Sequence, residues 1–166
     1  MRIGGRRLSA AVAVLLLIVV LVFAAVGLMR WKAAGLAHVI APPIGAATPS
    51  FDSAKNERDV ADRAGIIARG LRNDRGKATV RIYAMPPGSP WLPARKVVAT
   101  QLDHWEQVGD CADSVGATIV ECAWREPTRW WPREVVLTML RLPPAGGESA
   151  NRPGSTFVII GSGLGD

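Results

Sequence analysis

Residues Leu8–Met29 read LSAAVAVLLLIVVLVFAAVGLM, and this stretch decides the architecture of the chain. It contains 22 residues without a charge, and Ser9 carries its only hydroxyl. A helix of this length extends about 33 Å, enough to cross a hydrocarbon core about 30 Å thick. Helices of soluble proteins are seldom apolar on every face over such a length. The sequence therefore predicts a transmembrane helix at 8–29, preceded by a short N-terminal segment at 1–7.

More cations precede the span than follow it. Three arginines and the amino terminus lie before it, whereas one arginine and one lysine lie directly after it. The positive-inside rule therefore favours a cytoplasmic N-terminus and a domain outside the cell membrane. The difference is small, so the reverse orientation, with a cytoplasmic domain, stays an alternative. The residues expected at the two membrane interfaces are Arg6, Arg7, Arg30, Trp31 and Lys32.

A cleaved secretory signal is the other reading of this segment. The apolar core of such signals is normally about 7–15 residues long, and the present one is longer. The small-residue patterns at 22–24 and 33–35 are poorly placed for cleavage, because one lies inside the apolar run and the other follows two cations. The sequence therefore favours an uncleaved signal-anchor.

The positive charge of the chain belongs to its anchor. The formal net charge is +6, but five of the basic residues flank the apolar run, and the rest of the chain has 15 basic and 14 acidic residues. No basic stripe interleaved with aromatic residues remains, so we do not expect nucleic-acid binding. Arginine greatly outnumbers lysine, and alanine, glycine, proline and valine are frequent. We interpret this composition as that of a GC-rich bacterial genome.

The remainder of the chain predicts a linker and one α+β domain. Residues 30–52 are rich in alanine, proline and glycine, which is typical of a juxtamembrane linker. Within 53–166, the periodicity of the apolar residues predicts two helices and four strands, and short connections favour antiparallel pairing. The expected fold is two helices on one face of a mostly antiparallel four-stranded sheet, with a flexible glycine-rich tail at 161–165. The predicted helices are Ser53–Asn73 and Ala94–Gln107, and the predicted strands are Thr79–Met85, Ala117–Arg125, Arg133–Leu142 and Thr156–Gly161.

Cys111 and Cys122 are the only cysteines of the chain. An even pair in an exported domain predicts a disulfide. Two buried thiols are one alternative. A zinc site with His104 and a carboxylate is another, although the spacing matches no compact ligand motif. We predict no metal site and no cofactor.

His104 is the candidate for acid–base chemistry. Asp103 precedes it and Asp110 follows closely, so either carboxylate could orient the imidazole as a proton carrier. A solvated helix face explains the same residues. No serine lies in a G-x-S-x-G context that would indicate a nucleophile. A membrane-anchored, hydrolase-like enzyme is therefore the alternative hypothesis for function.

The sequence Trp130-Trp131-Pro132 lies in a predicted hairpin loop between Arg129 and Arg133. Exposed, such a loop would bind a partner protein, a glycan or the headgroup layer; buried, it would cap the end of a small sheet. We predict partner contacts at these two tryptophans and two arginines. The functional hypothesis is a single-pass membrane-anchored protein of the bacterial envelope, whose domain outside the cell membrane binds a protein or assembly partner.

Overall fold

The computed structural model describes residues 4–71, 78–144 and 154–164. The chain divides into two compact units, Met1–Ala33 and Ala34–Asp166. Helix α1, Gly4–Ala34, accounts for the first unit and covers the predicted span at 8–29. Its segment Ala10–Ala34 is long and apolar enough to cross a membrane.

The second unit is an α+β domain, as predicted, built on one antiparallel sheet. The strand order is β1-β5-β4-β3-β2, and every neighbouring pair is antiparallel. The predicted count of four strands is wrong, because a short fifth strand pairs with β3 at one edge. The helices and strands of this domain are α2 Ala54–Gly70, β1 Thr79–Met85, α3 Trp91–Gln101, β2 Glu106–Val108, β3 Ile119–Arg125, β4 Arg133–Leu142 and β5 Ser155–Leu164.

The two helices of the domain pack on opposite faces of the sheet, so the prediction of one common face is wrong. Alternation along β4 explains this arrangement. Its odd-numbered apolar residues, such as Leu137, pack in the core under α3, and its even-numbered residues, such as Leu140, pack under α2. A central strand that is apolar on both faces needs cover on both of them.

Helix α2 begins at a side-chain cap and buries one apolar stripe. The Ser53 hydroxyl accepts a hydrogen bond of 3.1 Å from the backbone N–H of Asn56, which satisfies an unpaired donor of the first turn. Val60, Ile67 and Leu71 face the sheet and are buried. These three side chains fix the helix on its face of the sheet.

Helix α3 ends six residues earlier than predicted. The backbone N–H of Leu102 bonds to Ala99 O, and that of Trp105 bonds to Leu102 O, which turns the chain out of the helix. Glu106 then opens β2 opposite Arg125. His104 therefore lies in a turn between α3 and β2 rather than on a helix face.

The glycine-rich segment after residue 160 is also different from its prediction. Strand β5 continues to Leu164, and Gly161 and Gly163 are buried against the end of α2. A Cβ atom on Gly163 would lie 2.6 Å from the carbonyl oxygen of Leu71. The glycines are therefore small residues at a close approach of helix and strand, not part of a mobile tail.

The structure places most of the predicted linker against the domain. Helix α1 itself extends to Ala34. Beyond it, Ile40 is buried in the core under α3, Ala41 exchanges two hydrogen bonds with the Gln101 side chain, and Ala47 bridges to Ala84 of β1. We call residues 38–47 the strap. Its proline and alanine content is that of a linker, but its contacts are those of a domain segment.

Candidate functional site

The predicted acid–base group is open to solvent. The side chains of His104 and Asp103 are 90% and 69% exposed, with 3.4 Å between Nε2 and Oδ2. Asp110 is engaged locally, because its Oδ1 accepts a hydrogen bond from the backbone N–H of Ala112. Of the three residues, the structure brings together only His104 and its sequence neighbour, in surroundings that neither desolvate nor hold the imidazole.

Cys111 and Cys122 lie at disulfide-bonding distance, with their Cα atoms 4.8 Å apart. Both are buried in the core under α3, and the indole N–H of Trp91 donates to the Cys111 carbonyl at 3.0 Å. The pair connects the segment after β2 to the middle of β3. Among the described residues, no group of three or more His, Cys, Asp and Glu side chains is placed to hold a metal ion.

The loop between β3 and β4, residues 126–132, presents one tryptophan to solvent. Trp130 is 52% exposed, and Arg129 beside it is exposed as well. Trp131 is half-buried and meets the Trp130 ring edge-on at 6.4 Å, with a backbone φ of 52°. The backbone N–H of Trp130 donates to the Thr128 hydroxyl at 3.3 Å. We call these residues the tryptophan loop.

Arg133 closes the base of the tryptophan loop. It forms an ion pair with Glu126 at 3.1 Å, and its guanidinium lies 5.5 Å from the ring centre of Trp105. The predicted partner contacts therefore fall into two groups. Arg129 and Trp130 are available at the surface, whereas Arg133 is packed into the domain.

His38 of the strap adds a group that sequence reasoning missed. Its backbone N–H donates to Ser162 Oγ at 2.8 Å, and its ring lies 5.2 Å from that of Trp105. Burial lowers the pKa of His38, and the Arg133 charge lowers it further, while Glu126 acts in the opposite direction. These contacts join residues more than 60 positions apart, so no local pattern in the sequence could indicate them.

A second surface lies on the α2 side of the sheet. Helix α2 packs mainly on β1, β5 and β4, which leaves β3 and β2 without a helix above them among the described residues. The side chains of Ile66, Val108 and Ile119 are 50%, 41% and 47% exposed there. We call this surface the open face. It comprises Ile66, Val108, Ile119, Glu121 and Arg125.

A cavity of about 320 Å³ lies on the open face between α2 and the sheet. Arg63 reaches across it to Glu121 at 2.6 Å, and the buried Thr138 hydroxyl donates to the same carboxylate. Arg125 pairs with Glu134 at 3.0 Å. Arg63 Nε is buried and has no hydrogen-bond partner in the described part of the chain. The cavity thus combines apolar walls with paired charges.

No family model, curated protein or solved structure matches this chain. The described residues define a protein with one apolar helix of membrane-spanning length and an α+β domain with a helix on each face of its sheet.

Proposed function

We propose that this chain is a single-pass membrane-anchored protein of the bacterial envelope, with its N-terminus in the cytoplasm, and that its outer domain binds a protein partner. Helix α1 supports the anchor, because the side chains of its long apolar segment are almost all exposed. Exposed apolar side chains over that length would be unfavourable in water and are favourable in a bilayer.

Two observations support the outer location of the domain. Cations are more numerous before the span than after it. Cys111 and Cys122 are at bonding distance, and structural disulfides persist in oxidising compartments rather than in the cytoplasm.

The open face is the observation that carries partner binding. A sheet normally buries both apolar faces, yet here Ile66, Val108 and Ile119 remain about half exposed, and Ile66 lines the cavity. Arg63 and Arg125, which are paired with Glu121 and Glu134, line the same cavity. Apolar contacts at the centre with charged residues beside them are typical of a protein interface.

The enzyme alternative lacks comparable support. His104 and Asp103 are both largely in solvent, and neither lines one of the described cavities. A general base normally lies in a pocket that binds the substrate, whereas these two side chains are 90% and 69% exposed.

Partner binding can be tested with a matched pair of exposed aliphatic residues. Ile119→Asp lies on the open face, and Leu92→Asp makes the same change on α3, where Leu92 is 66% exposed. Photo-crosslinking at position 108 of the full chain in intact cells should give a discrete protein adduct. The adduct should be lost in the Ile119→Asp variant and kept in the Leu92→Asp variant. Equal yields in both variants would refute the open face as the binding surface.

The orientation can be tested separately at Val115, which is fully exposed on the loop before β3. A Val115→Cys variant should react with a membrane-impermeant maleimide in intact cells. Labelling that requires permeabilisation would refute the outer location and leave the domain in the cytoplasm. Ile3→Cys provides the control, since it keeps all three arginines before the span and should react only after permeabilisation.

A further inference from the structure

We propose that the tryptophan loop is a second membrane contact, docking Trp130 into the headgroup layer of the bilayer that holds α1. The proposal rests on the membrane anchoring of the proposed function. In this proposal, the loop contacts the phospholipid headgroup layer, and the open face binds the protein partner.

The register places the tryptophan loop and the start of the strap at the same end of the sheet. The loop joins Arg125 to Arg133, and these strand ends pair with Glu134 and Leu164. Ser162, two residues away on β5, accepts the hydrogen bond from the His38 backbone. Trp105 contacts both His38 and Arg133, which confirms that strap and loop meet at this end.

Chain length brings this sheet end close to the membrane surface. Ala34 is the last residue of the apolar segment, and His38 follows it by four residues. An extended chain spans at most about 3.6 Å per residue, so His38 lies within about 14 Å of Ala34 whatever path the four residues take. An anchored chain therefore holds the loop end of the sheet beside the headgroups.

The chemistry of the loop suits that location. Tryptophan is enriched at the membrane–water interface, because its ring is apolar and its N–H can bond in the headgroup region. Arg129 adds an exposed cation, and the carboxylate of Glu126 is neutralised by Arg133. Asp103 and Glu106 are exposed on either side of the His104–Trp105 pair. Their negative charges partly offset the attraction between Arg129 and anionic lipid. The ring of Trp130, rather than net charge, should therefore make the contact.

The loop holds Trp130 outward at a conformational cost. Trp131 has a φ of 52°, in the left-handed region that bulky residues rarely adopt. Its half-buried ring supports Trp130 edge-on from the domain side. The strained backbone thus accompanies an outward Trp130 ring, as a contact beyond the domain requires.

Tryptophan fluorescence of the full chain in liposomes can test this contact. Lipids brominated on the acyl chains quench tryptophans in the bilayer at short range, and acrylamide quenches those in water. Trp130→Phe should remove a bromolipid-quenched component, while the contribution of Trp31 stays the same. Leu92→Trp is the control, because Leu92 is exposed at the opposite end of the sheet, about 23 Å away along β1. The added tryptophan should respond to acrylamide only.

The outcomes separate the possibilities. Bromolipid quenching that is unchanged in the Trp130→Phe variant overturns the proposal, and so does acrylamide quenching of Trp130 in the membrane-bound protein. A Trp130 shielded from both quenchers indicates a protein contact instead. Quenching that requires anionic lipid and is lost with Arg129→Gln assigns the contact to the arginine and overturns the role of Trp130. Extraction of the chain from membranes at alkaline pH would refute the anchor itself, independently of these results.

Discussion

Replacing Gly163 by alanine should destabilise the domain, because the structure leaves no room for a side chain there. A Cβ atom would lie 2.6 Å from the carbonyl oxygen of Leu71 and 3.1 Å from its Cβ atom. The first neighbour is backbone at the end of α2, which cannot rotate away as a side chain can. The helix end would have to move off β5, where Leu71 and Ile67 are buried.

The magnitude follows from the cost of overpacking. Inserting one methyl group into a well-packed interface costs about 1–3 kcal/mol, and we expect the upper half of that range because backbone must move. For a domain of this size, 2 kcal/mol corresponds to a loss of about 6–8 °C in Tm. The unfolding of the full chain in detergent micelles can be followed by tryptophan fluorescence, since most tryptophans lie in the domain.

Glycines in α2 provide the matched control. A Cβ atom on Gly70 would meet nothing within 4 Å, and one on Gly65 would make only an ordinary contact with the Arg69 side chain. Alanine at either position should stabilise the helix by up to about 1 kcal/mol. A Gly163→Ala variant as stable as the wild type would refute the close packing of β5 on α2. It would restore the interpretation of residues 161–165 as a flexible tail.

Three further predictions concern the disulfide and two titrating groups. The double variant Cys111→Ala/Cys122→Ala should lose about 3 kcal/mol of unfolding free energy in chemical denaturation, since the bridge would close a short loop of the unfolded chain. The wild type with reductant should lose the same amount. If reductant has no effect, the thiols are not bridged. The pKa of His38 is lowered by burial and by a neighbouring guanidinium, so its contribution to stability is present above about pH 6.5 and lost as pH falls through the lowered value. Hydrogen exchange in the strap should therefore quicken in acid, after correction for intrinsic rates, and His38→Gln should remove that dependence. The Arg141 hydrogen bond lowers the pKa of Asp113, so Asp113→Asn should lower the Tm at pH 7, and this difference should shrink as the pH falls through the lowered pKa.

The strands were predictable to the extent that alternation and turn residues marked them. Thr79–Met85 and Arg133–Leu142 have the bounds expected from the sequence. Strand β2 was not predicted, because its three exposed residues show no apolar alternation and its pairing with β3 is not visible in the sequence. The sequence also did not predict on which side of the sheet each helix packs. Periodicity shows that a helix has an apolar stripe, but it does not show which face of the sheet that stripe contacts.

The candidate functional residues also show that sequence neighbours do not predict the environment of a side chain. Sequence neighbours drew attention to His104, since Asp103 and Asp110 lie beside it, yet its side chain is almost wholly in solvent. His38 has no charged neighbour nearby in the sequence, and the structure surrounds it with Trp105, Arg133 and Glu126. Consecutive residues determine an apolar run or a strand. The environment that changes a pKa is formed by residues that lie far apart in the sequence.

The strap shortens the free chain between the apolar helix and the domain. A linker over 30–52 would let the domain move well away from the bilayer, because a flexible chain of that length has a root-mean-square reach of about 25 Å. The structure instead bonds the chain to the domain at His38 and again at Ala41 and Ala47. If α1 spans the membrane, four residues separate the end of its apolar segment at Ala34 from the first of these bonds at His38. Releasing the strap by combining His38→Pro, Ile40→Asp and Gln101→Ala should increase the distance from the bilayer to a fluorophore at position 115, and an unchanged distance would refute this role of the strap.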